Sequence, residues 1–284
     1  MNKIHIIAGA TATGKSTAAI ALARKIGGEI ISADSMQIYR GMDIGTAKIL
    51  PNEMEGIPHH LIDELNPDES YNAAIFADLA RGRIAEIIRR GKTPIICGGT
   101  GFYINALLFG MEISQPEGES PHRAELTNFA KNHGAAALHK MLADIDPAAA
   151  TAIPINNQKR VIRAIEFYRI NGRRISEHNQ EMKKRKPAFD AEITILDLPR
   201  EALYNRINAR VDKMMAAGLL NEVSALLNAG YARDLVSMQG LGYKELAAHL
   251  ANETDLPTAI NAIKQGTRRF AKRQITWFKH QLKT

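Results

Sequence analysis

The chain has a single cysteine, Cys97, among 284 residues. An internal disulfide and a multi-cysteine zinc site are therefore excluded, which fits a reducing compartment with the cytoplasm as the expected location. No apolar run approaches the roughly 20 residues of a membrane span. Met1-Asn2-Lys3 leads directly into a strand pattern without a signal-type apolar region, so neither export nor embedding in a membrane is expected. There is no internal repeat and no low-complexity tract. No Ser/His/Asp or Cys/His arrangement suggests a covalent nucleophile. The pair His59-His60 sits in a Pro-flanked stretch without ligand spacing to other His or Cys, and reads as a turn and hydrogen-bonding element rather than a metal site.

Acid is missing from one stretch in particular. Lys264 to Thr284 holds seven lysines and arginines and no carboxylate, while Lys159 to Lys186 holds ten against three glutamates. The whole chain carries a formal net charge of +7, so the remainder is net acidic. An acidic body with two basic stretches is the footprint of a polyanion partner, because neutralising phosphates releases counterions.

The most informative segment is Gly9-Ala10-Thr11-Ala12-Thr13-Gly14-Lys15-Ser16, a complete G-x-x-x-x-G-K-[ST] loop after the apolar run Ile4–Ala8 and before a helical pattern. Such a loop turns backbone N–H groups inward around phosphate oxygens. Lys15 adds a point charge, Ser16 offers a hydroxyl to Mg²⁺, and the next helix directs its positive end at the anion. Further strand patterns at Glu29–Ala33, Thr93–Cys97 and Glu192–Leu198, each followed by a helical pattern, predict an α/β fold with a parallel, helix-covered sheet. Helices are predicted from Lys15 to about Ile26, Ala73 to Arg90, Phe102 to Phe109, Pro199 to about Ala217, Leu220 to Leu227 and Thr258 to the end. Between Ser114 and Pro187 the strand patterns vanish, and helical stretches break at His133-Gly134, Asp146-Pro147 and Asn171-Gly172. The predicted organisation is a P-loop core (1–114), an inserted all-helical domain (115–186) and completion of the core with C-terminal helices (187–284).

Ligands of open α/β sheets sit beyond the carboxyl ends of the strands. After the second strand comes Asp34-Ser35-Met36-Gln37, and after the third Gly98-Gly99-Thr100-Gly101. Asp34 is the one carboxylate at the mouth of the phosphate site. It serves there either as a general base or as a partner of a magnesium ion, although an aspartate after a strand also commonly caps a turn. The third strand lacks the aspartate that ends a Walker B segment, which argues against a motor ATPase.

Four motifs, Asp34 to Lys48 (DSMQIYRGMDIGTAK), Pro58 to Asp63 (PHHLID), Gly98 to Tyr103 (GGTGFY) and Lys272 to Phe278 (KRQITWF), together resemble the tRNA dimethylallyltransferases. The resemblance implies transfer of a dimethylallyl group from dimethylallyl diphosphate to N6 of the adenosine immediately 3′ of the anticodon, with Mg²⁺ required. It implies that Gly9 to Ser16 hold the diphosphate, that Asp34 accepts the N6 proton, that Thr100 bridges reacting groups and tRNA, and that Arg210 clamps the diphosphate. The tRNA contacts it implies fall on Asp34, Ser35, Met36, Gln37 and Thr100, on Gln158, Lys159, Arg160, Val161 and Ile162, on Gln239, Gly240, Gly242, Tyr243 and Lys244, and on Lys272, Arg273, Gln274 and Trp277. The anticodon stem-loop is the expected partner, and the protein is expected to be a monomer. Trp277 or Phe278 could line a channel for an unstacked base, although either also suits a core position. Eukaryotic cytosolic members often append a Cys/His zinc finger, and with one cysteine this sequence is expected to be of bacterial type. Three other readings fit the phosphate loop: a P-loop small-molecule kinase, an adenylate isopentenyltransferase acting on free nucleotides, and an RNA-binding protein with an idle nucleotide site. The last leaves Asp34 and Thr100 without a task, and the other two leave the basic stretches unexplained.

Overall fold

The structure, a computed structural model, describes residues 3–110 and 120–282. It divides into two compact units, one formed by Met1–Gly110 with Pro187–Thr284 and the other by Met111–Lys186. The boundary expected at 114/115 lies outside the described residues.

The first unit is built on a five-stranded sheet in the order β3-β2-β4-β1-β5, with every pairing parallel. The strands are β1 (Lys3–Gly9), β2 (Gly28–Ser32), β3 (His59–His60), β4 (Thr93–Gly98) and β5 (Asp190–Leu196). Ile6, Ile7, Ile30, Ile31, Ile95 and Ile96 are all buried, as expected of central parallel strands covered on both faces. β5 instead alternates between exposed and half-buried residues, the pattern of an edge strand. It begins two residues before the expected Glu192, because its register on β1 runs from Lys3–Asp190 to Gly9–Leu196.

Four strands were expected and five are present among the described residues. His59-His60 is the addition: it forms the opposite edge, with Ile30 and Ile31 of β2 opposite it. Two residues are too few to show a period, and the pairing is fixed by a buried cluster instead. The Glu29 carboxylate takes His60 Nε2 at 2.7 Å and Arg90 Nη2 at 2.6 Å.

Helices α1 (Lys15–Ile26), α2 (Ala73–Arg89) and α3 (Gly101–Phe109) follow β1, β3 and β4. α1 ends at Gly27 in the left-handed region, with φ 65, and the Asn72 side chain caps α2 by accepting from the N–H groups of Ala74 and Ile75.

The second unit is helical: α4 (Pro121–Ile145), α5 (Pro147–Ala152), α6 (Gln158–Asn171) and α7 (Ile175–Lys184). The breaks in the sequence pattern become a kink in α4 at Gly134 (φ 83), an Asp146 cap on α5 and a left-handed Gly172 that ends α6. Leu126, Leu138, Leu142, Val161 and Ile165 form its core. Val161 and Ile162, expected at an RNA surface, are buried there; one turn of an amphipathic helix must send part of its length inward. Glu166 is buried too and takes Arg123 and Arg163 at 2.7 and 3.1 Å.

The chain then rejoins the first unit through a hydrogen bond from the Ala188 N–H to the Leu108 carbonyl, at 2.7 Å. After β5 come α8 (Arg200–Ala216), α9 (Leu219–Asn228), a 3₁₀ turn at Ser237–Gln239, α10 (Tyr243–Leu250) and α11 (Leu256–Gln281). No described helix is long and apolar enough to cross a membrane.

Candidate active site at the phosphate loop

The loop from Gly9 to Ser16 closes over itself. Thr13 Oγ1 donates to the Ala10 carbonyl at 2.8 Å, and Lys15 Nζ donates to the same oxygen at 2.7 Å. Ala12 sits at φ 65, a conformation that costs a residue with a Cβ about 1–3 kcal/mol and is kept only where the surroundings enforce it. Burial holds the Lys15 ammonium below the usual lysine range; Cys97 and Asp34 draw it back up, and Arg210 pushes it further down. Arg210, from α8, donates to Thr11 Oγ1 at 3.2 Å. Burial lowers its pKa against the opposing pull of Asp34. Lys15, Arg210 and Asp34 thus feel one another's fields around one loop. Burial pushes the Cys97 thiol beneath them up to about 11, so it remains protonated and is no nucleophile.

Asp34 follows β2 and forms a turn. Its Oδ1 accepts from the Met36 N–H at 2.9 Å, with a longer contact from the Gln37 N–H at 3.4 Å. The turn role and the site role are therefore compatible, since one oxygen anchors the side chain while the other is not used by the turn. Thr100 follows β4. Its N–H bonds the Ala33 carbonyl at 3.3 Å, and its hydroxyl does not cap α3.

α11 braces both glycine turns. The Gln274 Oε1 accepts from the Thr11 N–H, and its Nε2 donates to the Gly99 carbonyl, each at 2.9 Å. A Cβ on Gly99 would collide with the Gln274 amide, and one on Gly101 with the Trp277 ring. Glycine is required at both places so that a helix can lie against the turns.

Four of the expected RNA contacts are engaged within the protein at these positions. Gln274 is buried with both ends of its amide engaged. Trp277 packs on Gly101 and against Phe278, which is itself core. Gln37 is spent inside the protein, accepting from Ser32 Oγ at 3.0 Å and donating toward the Thr46 and Ala47 carbonyls. Tyr243 is buried, its hydroxyl donating to Glu222 at 2.7 Å. By contrast Gln158, Lys159, Arg160, Gln239, Lys244, Lys272 and Arg273 are exposed, while Ser35, Met36 and Thr100 are half-buried near the site loops.

The segment from Asp34 to Lys48 is knotted by groups that no local pattern reveals. The Glu222 carboxylate accepts from the N–H groups of Asp43, Ile44 and Gly45 at 3.0, 2.7 and 3.0 Å. The Lys48 ammonium is buried and bonds the Tyr39 carbonyl at 2.7 Å and Asp43 at 2.6 Å, as well as Asp63. Between this segment, the phosphate loop and α8 lies a cavity of about 630 Å³. Its walls are apolar at Ile44, Leu50 and Met214, and its four cations, Lys48, Arg206, Arg210 and Lys213, outnumber the carboxylates of Asp43 and Glu53. Chemically this suits a ligand with an anionic head and a hydrocarbon end. Among the described residues no group of three or more His, Cys, Asp or Glu is placed to hold a metal by itself.

Comparison with known proteins gives a consistent result. The chain is 50% identical over 281 residues to a tRNA dimethylallyltransferase of Lachnoclostridium phytofermentans, spanning 99% of this chain and 90% of that one. A tRNA dimethylallyltransferase of Geobacillus kaustophilus is 49% identical, spanning 99% and 88%. Among solved structures, a tRNA isopentenylpyrophosphate transferase from Staphylococcus epidermidis matches with TM-score 0.73 and 42% identity over 100% of this chain and 92% of that one. A eukaryotic dimethylallyltransferase acting on tRNA matches with TM-score 0.84 and 32% identity over 99% of this chain and 71% of that one. Residues 37–281 match the family described as IPP transferase, and with a phosphate loop, an aspartate turn and a braced glycine turn at three adjacent strand ends, the chain belongs to that family.

Proposed function

We propose that this protein transfers the dimethylallyl group of dimethylallyl diphosphate to N6 of the adenosine immediately 3′ of the anticodon in tRNA, releasing diphosphate. The observation that carries the reading is the meeting of Lys15, Arg210 and Asp34 around one phosphate loop beside a cavity with apolar and cationic walls. The N–H groups of the loop hold the diphosphate, with Lys15 and Arg210 neutralising charge that grows on the leaving oxygen as the allylic C–O bond lengthens. Asp34 accepts the N6 proton as the C–N bond forms, because a neutral exocyclic amine is a poor nucleophile. Thr100, at the start of α3, keeps a hydroxyl that does not cap the helix and bridges reacting groups and tRNA in this reading.

The donor set fits Mg²⁺ in the manner of a P-loop. Ser16 is exposed in the first turn of α1, and one protein hydroxyl completed by phosphate oxygens and water is what this ion accepts. Bound there, the ion would supply further neutralisation of the leaving diphosphate. The exposed cations Lys159 and Arg160 in the helical unit, and Lys272 and Arg273 on α11, grip the anticodon stem-loop. The protein acts as a monomer in the cytoplasm.

The decisive experiment incubates the protein with labelled dimethylallyl diphosphate and either tRNA or AMP. Label on tRNA alone is expected. Label on AMP alone would establish the free-nucleotide reading, and in a parallel incubation with ATP, transfer of its terminal phosphate to a hydroxyl acceptor would establish a kinase.

A further inference from the structure

The buried Tyr71 hydroxyl has no hydrogen-bond partner, the one such side-chain atom found among the described residues. Tyr71 is 8% exposed, and a sealed O–H without an acceptor is a cost that native structures rarely keep without a use. The ring cannot easily turn away to relieve it. It meets Tyr39 edge-on at 6.4 Å and Tyr103 edge-on at 5.5 Å, and Tyr103 in turn stacks on Phe76 at 4.9 Å. Its backbone is fixed as well, because Asn72, the next residue, caps α2. The two flanking tyrosines belong to the two site loops: Tyr39 lies five residues after Asp34, and the N–H of Tyr103 bonds the Thr100 carbonyl. Tyr71 is therefore wedged between the segments that follow Asp34 and Thr100.

Burial raises the phenol's pKa, with Tyr103, Asp34, Glu64 and Tyr39 each adding to it. The group is thus a proton-bearing donor at any working pH, and it stands in the field of Asp34. Asp34 itself is half-buried and tethered to its turn through Oδ1 alone.

Resting on the function proposed above, we propose that Tyr71 is a positioning residue for Asp34: once the acceptor base occupies the site, the Tyr71 hydroxyl donates to the Asp34 carboxylate. In the transfer step the N6–C bond forms, the C–O bond breaks with its electron pair leaving on the diphosphate, and the N6 proton passes to an Asp34 oxygen. The donated hydrogen bond holds the carboxylate ionised and aimed before that proton arrives. Lys15, Arg210, Cys97 and Tyr71 are the titratable groups that share a field with Asp34, and of these Tyr71 alone offers a neutral hydroxyl donor without a partner.

Tyr71→Phe removes a single atom that satisfies nothing in the free protein, so its thermal midpoint should equal or exceed that of the wild type. The KM for dimethylallyl diphosphate should stay within about twofold, while the single-turnover rate of transfer to tRNA falls about ten- to a hundredfold, the effect of losing a hydrogen bond to a charged group. The acidic limb of the kcat–pH profile, which reports the substrate-bound enzyme, should move to higher pH, because in that complex the Asp34 carboxylate loses a donor. An unchanged rate and an unmoved limb would overturn the assignment, as would a rate loss accompanied by a lowered thermal midpoint. A wild-type protein that labels no tRNA would instead defeat the function on which this inference rests.

Discussion

At the scale of single residues, one substitution separates the turn that Asp34 makes from the proton transfer proposed for it. Asn keeps the Oδ1 that accepts from the Met36 N–H, so Asp34→Asn should fold normally and bind tRNA within several-fold of the wild type while losing about 10²–10⁴ in rate with the general base removed. Single-turnover transfer and a filter-binding titration measure the two halves, and near-normal turnover would take Asp34 out of the mechanism. Glu29 tests the sheet edge instead. Burial works to raise its pKa, but hydrogen bonds and charge from Arg90 and His60 prevail and leave it below the usual range. A depressed folded value means stability that is present above the unfolded carboxyl pKa of about 4.3 and lost as the pH falls through the folded one. Glu29→Gln should therefore cost about 1–3 kcal/mol at pH 7, and chemical denaturation at pH 7 and at pH 3 should show the gap between the two proteins closing in acid.

At the scale of elements, α11 is the part whose role the sequence conceals. Gly9 to Ser16, Asp34 and Thr100 are legible because each sits directly after a strand pattern, where local order alone predicts a site. Gln274 bonds Thr11 across 263 residues and Gly99 across 175, and Glu222 reaches Ile44 across 178. Contacts that distant leave no periodicity to read, and a polar residue in a basic helix looks like a surface contact until its burial is known. The same lack of a local signal hides the burial of Tyr243, Val161 and Ile162. If Gln274 sets the loop, Gln274→Leu should raise the KM for dimethylallyl diphosphate by about tenfold, the loss of roughly one buried hydrogen bond's worth of order. Gln274→Glu, which keeps an acceptor for the Thr11 N–H, should fall between Leu and the wild type. Steady-state kinetics on both variants decide it, and equal KM values throughout would leave α11 as simple packing.

At the scale of the whole molecule, each of the two units carries its own exposed cations, and salt dependence tells whether they touch RNA. Lys159→Ala with Arg160→Ala, and separately Lys272→Ala with Arg273→Ala, should each make the log–log salt slope of tRNA affinity shallower by up to about two, with donor affinity unchanged. Arg163 is a poor probe, since it pairs with the buried Glu166 and its loss would unsettle the helical unit itself. Parallel slopes for all three proteins between about 50 and 200 mM salt would remove these stretches from the interface. One stitch in the fold bears on how such an enzyme can change over time. The chain departs after α3 and returns before β5, and the Ala188 N–H closes that doorway on the Leu108 carbonyl. Lengthening, shortening or redrawing the helices beyond the doorway leaves the strand register on β1 untouched. If the helical unit grips RNA as proposed, that part of recognition is free to drift while the residues of the phosphate loop and its neighbouring turns stay as they are.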